Sequence, residues 1–103
     1  MIAKTTYIRR RDASLRALDL EIIRLKSFAD ISPEIITPKY NKAIQRLHST
    51  REVAARKLRE LRQSGEYAWN NGEASHGVEQ AWDEIRIAVL YAISATYAEP
   101  VAS

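Results

Sequence analysis

The chain's 103 residues fit one domain, 1–103, large enough to bury a core without staples. With 46% hydrophobic and 28% charged residues, three glycines, three prolines and no cysteine, the composition excludes a disordered tail, a membrane bundle, disulfides and thiol or cysteine–metal chemistry, and it argues against a turn-rich sandwich or barrel. The net charge of +3 divides into +8 over residues 1–62 and −5 over residues 63–103; such asymmetry is expected to set a basic helical hairpin against an acidic segment of its own chain or of a partner, or to mark a surface for polyanions.

The first predicted helix covers about 6–30. Ile8, Leu15, Leu18, Ile22, Leu25 and Ala29 follow alternating steps of three and four, with Arg11 in the missing slot, which is a heptad seam. Leu20, Ile23 and Phe28 lie off it and predict a second apolar flank, so this helix is expected to touch more than one neighbour. Arg9-Arg10-Arg11 stands where a secretory signal needs apolar residues, and a cytoplasmic location is expected.

Pro33 and Pro38 end that helix near Asp30, because the residue before a proline is pushed out of the α region. Ser32-Pro33 and Thr37-Pro38 each combine a hydroxyl N-cap with proline at the first helical position. Ser32 is expected to start a short turn, and Thr37 to cap a second helix over 38–63. There Tyr40, Ile44, Leu47, Arg51, Ala54, Leu58 and Leu61 keep the seam without a slip until Ser64-Gly65. Two helices of matched length across a short joint predict an antiparallel hairpin, with Arg51 opposite Ala17-Leu18 and within reach of Asp19 or Glu21. A lone polar residue at a seam position commonly fixes register at a cost in stability.

The third helix is less regular at its start, beginning at 66 or at 75 and ending near 97, because Asn70-Asn71-Gly72 and Gly77 weaken residues 70–77. Val78, Ala81, Ile85, Ala88, Ala92 and Ala95 then form one stripe, widened by Trp82 and Val89. After Ile85 the helix is apolar nearly all round. A helix of that kind must be buried somewhere, and a small monomer offers little to surround it, so Trp82, Ile85, Ala88, Val89, Ala92 and Ile93 are the expected surface of a homo-oligomer, a dimer or tetramer. The charge-free run from Ile87 to Ala98 is far short of the roughly 20 residues of a bilayer span. The fold expected from all of this is all-α, a three-helix antiparallel coiled-coil-like bundle.

Ser64-Gly65-Glu66 with Ala68-Trp69, followed by Gly77-Val78-Glu79-Gln80-Ala81-Trp82-Asp83-Glu84-Ile85, resembles a family of small bacterial coiled-coil proteins associated with stress response. Tyr40 to Leu61 looks like that family's middle helix, and the likeness covers most of residues 38–95. It implies a helical protein in a stress setting, with no activity, cofactor or catalytic residue to carry over. Pro33 and Pro38, and Asn70-Asn71 between the two tryptophans, depart from the pattern.

Few constellations suggest chemistry. Glu73 and His76 have the Glu-x-x-His spacing of di-iron bundles, but a full site needs a second such motif and two more carboxylates, so no metal or cofactor is expected. Ser75 and His76 are helix neighbours that diverge, and no phosphate-binding glycine loop is present; no enzyme activity is expected. Trp69 and Trp82 read as core or interface anchors. Arg9, Arg10, Arg56, Lys57, Arg59 and Arg62 form a basic surface that could meet nucleic-acid phosphates. An amphipathic membrane-surface role or a protein partner are the other readings.

Overall fold

The computed structural model describes residues 3–31, 34 and 37–97, apart from the side chains at 37, 74 and 95–97. The expected Ser32-Pro33 turn and the Thr37 side-chain cap lie outside the described residues. Among the described residues there are four helices: α1, Lys4–Ile31; α2, Thr37–Gln63; α3, Glu66–Asn70; and α4, Glu73–Tyr97. They form an all-α bundle extending 57 × 20 × 19 Å.

The seams read from the sequence are the seams that pack. Leu15, Leu18, Ile22, Leu25 and Ala29 of α1 are buried, as are Tyr40, Ile44, Leu47, Ala54, Leu58 and Leu61 of α2 and Val78, Ala81, Ile85, Ala88 and Ala92 of α4. All belong to one apolar cluster. Helix α2 is central, packing on α1 along one side and more extensively on α4 along the other. Small side chains explain the closer pair, since Ala43 and Ala54 of α2 and Ala81 and Ala88 of α4 are all buried and let the backbones approach. Burying each leucine or isoleucine contributes about 1.5–3 kcal/mol, so these seams carry most of the stability.

Two ion pairs fix the register of the hairpin. Arg51, in a seam slot of α2, donates from Nε and Nη2 to the two carboxylate oxygens of Asp19 at 2.9 and 3.1 Å. One end further along, Arg62 Nη2 donates to Asp12 Oδ2 at 2.7 Å. The expected opposition of Arg51 and Asp19 is therefore the observed one, and it establishes that α1 and α2 are antiparallel. Lys4 Nζ donates to the carbonyl of Ser64 at 2.5 Å, tying the start of α1 to the end of α2.

The expected weakness over 70–77 narrows to two residues. The amide of Asn71 donates to the Tyr67 carbonyl and that of Gly72 to the Trp69 carbonyl, closing α3, and Gly72 takes φ 82°. Only glycine adopts that left-handed conformation without steric cost, which makes it the common residue just past a helix end. The same pair starts α4, with Asn71 Oδ1 accepting the Glu73 amide at 3.0 Å and the Gly72 carbonyl accepting that of His76. Gly77, by contrast, lies inside α4.

Opposite outcomes are expected for alanine at these two glycines. A Cβ at Gly77 would stand 3.6 Å from Lys57 Cδ, an ordinary contact, so Gly77→Ala should stabilise the fold by about 1 kcal/mol through helix propensity. Gly72→Ala has open space around it but a forbidden φ, and should cost about 1–2 kcal/mol. Urea unfolding followed by circular dichroism checks both signs.

Candidate functional site

The seam between α1 and α4 differs at its two ends, and the difference defines the candidate site. At the end nearer the start of α1 it is filled by a polar and aromatic clamp. Arg11 donates from Nη2 to Glu79 Oε1 and Oε2 at 2.7 and 2.6 Å, and the Tyr7 hydroxyl donates to the same Oε1 at 2.7 Å. The Arg11 guanidinium lies 4.7 Å from the ring centroid of Trp82 and 5.3 Å from that of Tyr7. Helix α3 delivers Trp69 to the outer side, its ring 5.4 Å from that of Tyr7 at 55°. A cation held against aromatic faces and paired with a carboxylate is stabilised by both, more so when partly desolvated.

The clamp is electrostatically committed. Burial alone would raise the Glu79 carboxyl, but the hydrogen bonds from Tyr7 and Arg11 and the charges of Arg11 and Arg86 outweigh it, and the group is held below its ordinary 4.5. Burial and the bond to Glu79 push the Tyr7 phenol above its ordinary 10.0. Tyr7 therefore stays a proton donor and Glu79 an anion at neutral pH, which suits a fastener rather than an acid–base pair.

Toward the far ends of α1 and α4 the seam is lined differently. An open groove of about 360 Å³ remains, with Leu25 and Phe28 on one wall, Val89, Ala92 and Ile93 on the other, and Leu47 of α2 at its floor. Glu21 and Arg24 stand on its α1 rim, with Arg24 Nη1 3.6 Å from Glu21 Oε1. Outside the groove's lining, Leu20 on α1 is 68% exposed and Leu90 on α4 60% exposed. Ile31, Ile23 and Ile93 are also exposed. Exposed aliphatics, where they adjoin, mark surfaces that meet other macromolecules. Comparison of the chain with protein-family models, curated proteins and solved structures finds no match.

The residues singled out from the sequence fall in different places. Of the six expected at an oligomer surface, Ile85, Ala88 and Ala92 lie in the core of the single chain, Trp82 stacks on Arg11, and Val89 and Ile93 border the groove. Glu73 and His76 are both exposed at the start of α4, and no group of three or more metal-ligating side chains occurs among the described residues. His48 and Glu52 are exposed on α2. In the basic set, Arg62 is held by Asp12 and Lys57 lies 3.6 Å from Glu60. Arg9, Arg10, Arg56 and Arg59 are exposed without a carboxylate partner among the described residues. Sequence reasoning missed Tyr7 and Glu79, whose partnership joins positions far apart along the chain. It also missed Leu90 as an outward residue.

Because the folded Glu79 titrates below 4.5, its contribution is present above about pH 4.5 and lost as pH falls through the folded value. Glu79→Gln should lower the melting temperature slightly at neutral pH and flatten the acid limb below about pH 4.5. Thermal melts from neutral pH down to pH 3 measure both effects; an acid limb as steep as wild type would show that other carboxylates govern it.

Proposed function

We propose that this chain is a non-enzymatic structural and interaction protein of the cytoplasm that self-associates through the flank shared by α1 and α4. The observation that carries the reading is the apolar groove between α1 and α4, which includes the exposed Ile93, together with the exposed aliphatics Leu20 and Ile31 on α1 and Leu90 on α4. Three or four such side chains removed from water per chain, at about 1.5–3 kcal/mol each, are on the scale of the entropy lost in association. The groove has apolar walls, and Glu21 and Arg24 on its rim pair with each other; this supports packing rather than chemistry. The likeness of residues 38–95 to stress-associated coiled-coil proteins supports a stress setting for the assembly.

One further reading has its own observation. Within the basic set, Arg9, Arg10, Arg56 and Arg59 are exposed and have no carboxylate partner among the described residues, which favours contact with a polyanion such as a nucleic-acid backbone. Salt-sensitive retardation of DNA or RNA, lost in an Arg9→Ala, Arg56→Ala, Arg59→Ala variant, is the result that would support it.

For self-association, light scattering at tens of micromolar should give a mass of twice the 11.7 kDa chain or a multiple of it. Leu90→Glu with Ile93→Glu should yield monomers that keep their helical circular dichroism, because both positions face outward. A wild type that is monomeric at that concentration, or a double variant that keeps its oligomeric mass, would overturn the proposal.

A further inference from the structure

We propose that Asn71 is a site of spontaneous chemical modification in the folded chain, at which the backbone nitrogen of Gly72 displaces the side-chain amide and leaves aspartate or isoaspartate in the joint between α3 and α4.

Asparagine occurs at 41, 70 and 71, and of these Asn71 alone precedes a glycine. Any other residue at 72 would carry a Cβ that crowds its own backbone nitrogen and hinders the peptide rotation the reaction needs. Asn41 lies within α2 before Lys42, where helical hydrogen bonding occupies the following amide. Asn70 ends α3 and precedes Asn71.

The fold leaves this pair accessible. Asn71 is exposed, Gly72 is half-buried, and a Cβ at Gly72 would meet nothing within 4 Å. Asn71 has φ −92° and ψ 1°, which turns the Gly72 nitrogen away from the Asn71 side chain, so the reaction begins only after that peptide rotates. The rotation gives up the bond from the Gly72 amide to the Trp69 carbonyl at 3.2 Å and the bond from the Glu73 amide to Asn71 Oδ1 at 3.0 Å. Helix α3, which accepts the first of these, is five residues long and has no buried residue. A local opening here therefore leaves the bundle folded.

In the open form, hydroxide removes the Gly72 amide proton and the nitrogen attacks Asn71 Cγ. The Cγ–Nδ2 bond breaks, and that nitrogen leaves as ammonia with a proton from solvent. The resulting five-membered imide takes up water. Breaking its bond between the Gly72 nitrogen and Cγ gives aspartate with the original backbone, whereas breaking the bond between that nitrogen and the Asn71 backbone carbonyl carbon gives isoaspartate, with the main chain rerouted through Cγ. No oxidation or reduction is involved.

The two products differ at the joint. Aspartate keeps the oxygen that caps the Glu73 amide and sets a negative charge at the start of α4, where the helix favours it. Isoaspartate adds one carbon to the main chain where the height of α4 against α1 is set, and so draws Glu79 out of step with Arg11 and Tyr7.

The full chain, folded and in guanidinium chloride, would be held in mildly alkaline buffer and mapped over time as tryptic peptides. Residues 63–86 form one such peptide, and its fragment masses distinguish position 70 from 71 and aspartate from isoaspartate. The folded chain should lose the amide at Asn71 no more than about thirtyfold more slowly than the unfolded chain, the factor that two exposed hydrogen bonds impose. Asn71→Ser, which keeps a capping oxygen, should abolish the loss. Gly72→Ala should slow it severalfold in the unfolded chain, where strain in the fold plays no part. An Asn71 that keeps its amide in the folded chain while the unfolded chain converts, equal loss at Asn70 or Asn41, or an unslowed Gly72→Ala chain would overturn the proposal. The isoaspartate form, separated by chromatography, should melt below the aspartate form. Equal melting temperatures would overturn the effect on the clamp.

Discussion

The structure depends on a requirement of α2. Its seam runs from Tyr40 to Leu61 with Arg51 in one slot among apolar residues, and α2 is the helix that both α1 and α4 cover. One partner helix hides only part of such a surface, so the chain has to fold back twice, and the second reversal must bring α4 onto the side of α2 that α1 leaves open. The two reversals differ in character. The first joins helices of nearly equal length, 28 and 27 residues. The second passes through α3, whose five residues set both the height at which α4 begins and the position of Trp69 over Tyr7.

Polar residues at seam positions are what convert this packing into one alignment. Leucine and alanine contacts tolerate a shift of one heptad, whereas Arg51 in a half-buried slot finds a bidentate partner only where Asp19 lies. Arg11 does the same for α1 against α4, since its carboxylate and both aromatic faces come from different turns of the structure. Among the described residues, this polar fastening of α4 to α1 lies at the Arg11 end of their seam. α1 and α4 are pinned together near Arg11, and toward the other end a groove lined by Phe28, Ile93 and Leu47 opens between them.

Local periodicity made the seams legible, and the hairpin register followed because a seam arginine and an acid lay equidistant from the first joint. The Arg11–Glu79 contact was not legible in the same way. Its register depends on how many residues α3 and its turn consume, which the sequence leaves open between Asn70 and Gly77. Glycine content alone could not settle that stretch, since Gly77 pays only a propensity cost inside a helix while Gly72 is needed for a conformation that other residues resist. Nor could the outward face of α4 be read where nearly every residue is apolar: Ile85, Ala88 and Ala92 turn in, and Ile87, Leu90 and Ile93 turn out. Composition on that helix lacks the polar stripe that normally marks the solvent side.

The charge asymmetry has less to do with holding the molecule together than its size suggests. Among the described residues, Arg11–Glu79 is the ion pair that crosses from the basic part of the chain to the acidic part; Arg51–Asp19 and Arg62–Asp12 lie within the basic hairpin, and Arg86–Asp83 lies within α4. The bundle therefore joins its basic and acidic parts through apolar seams, and exposed pairs add little to that. Ile87 to Ile93 carries no charge, so the exposed Leu90 and Ile93 present aliphatic surface whose removal from water is a driving force that salt does not screen.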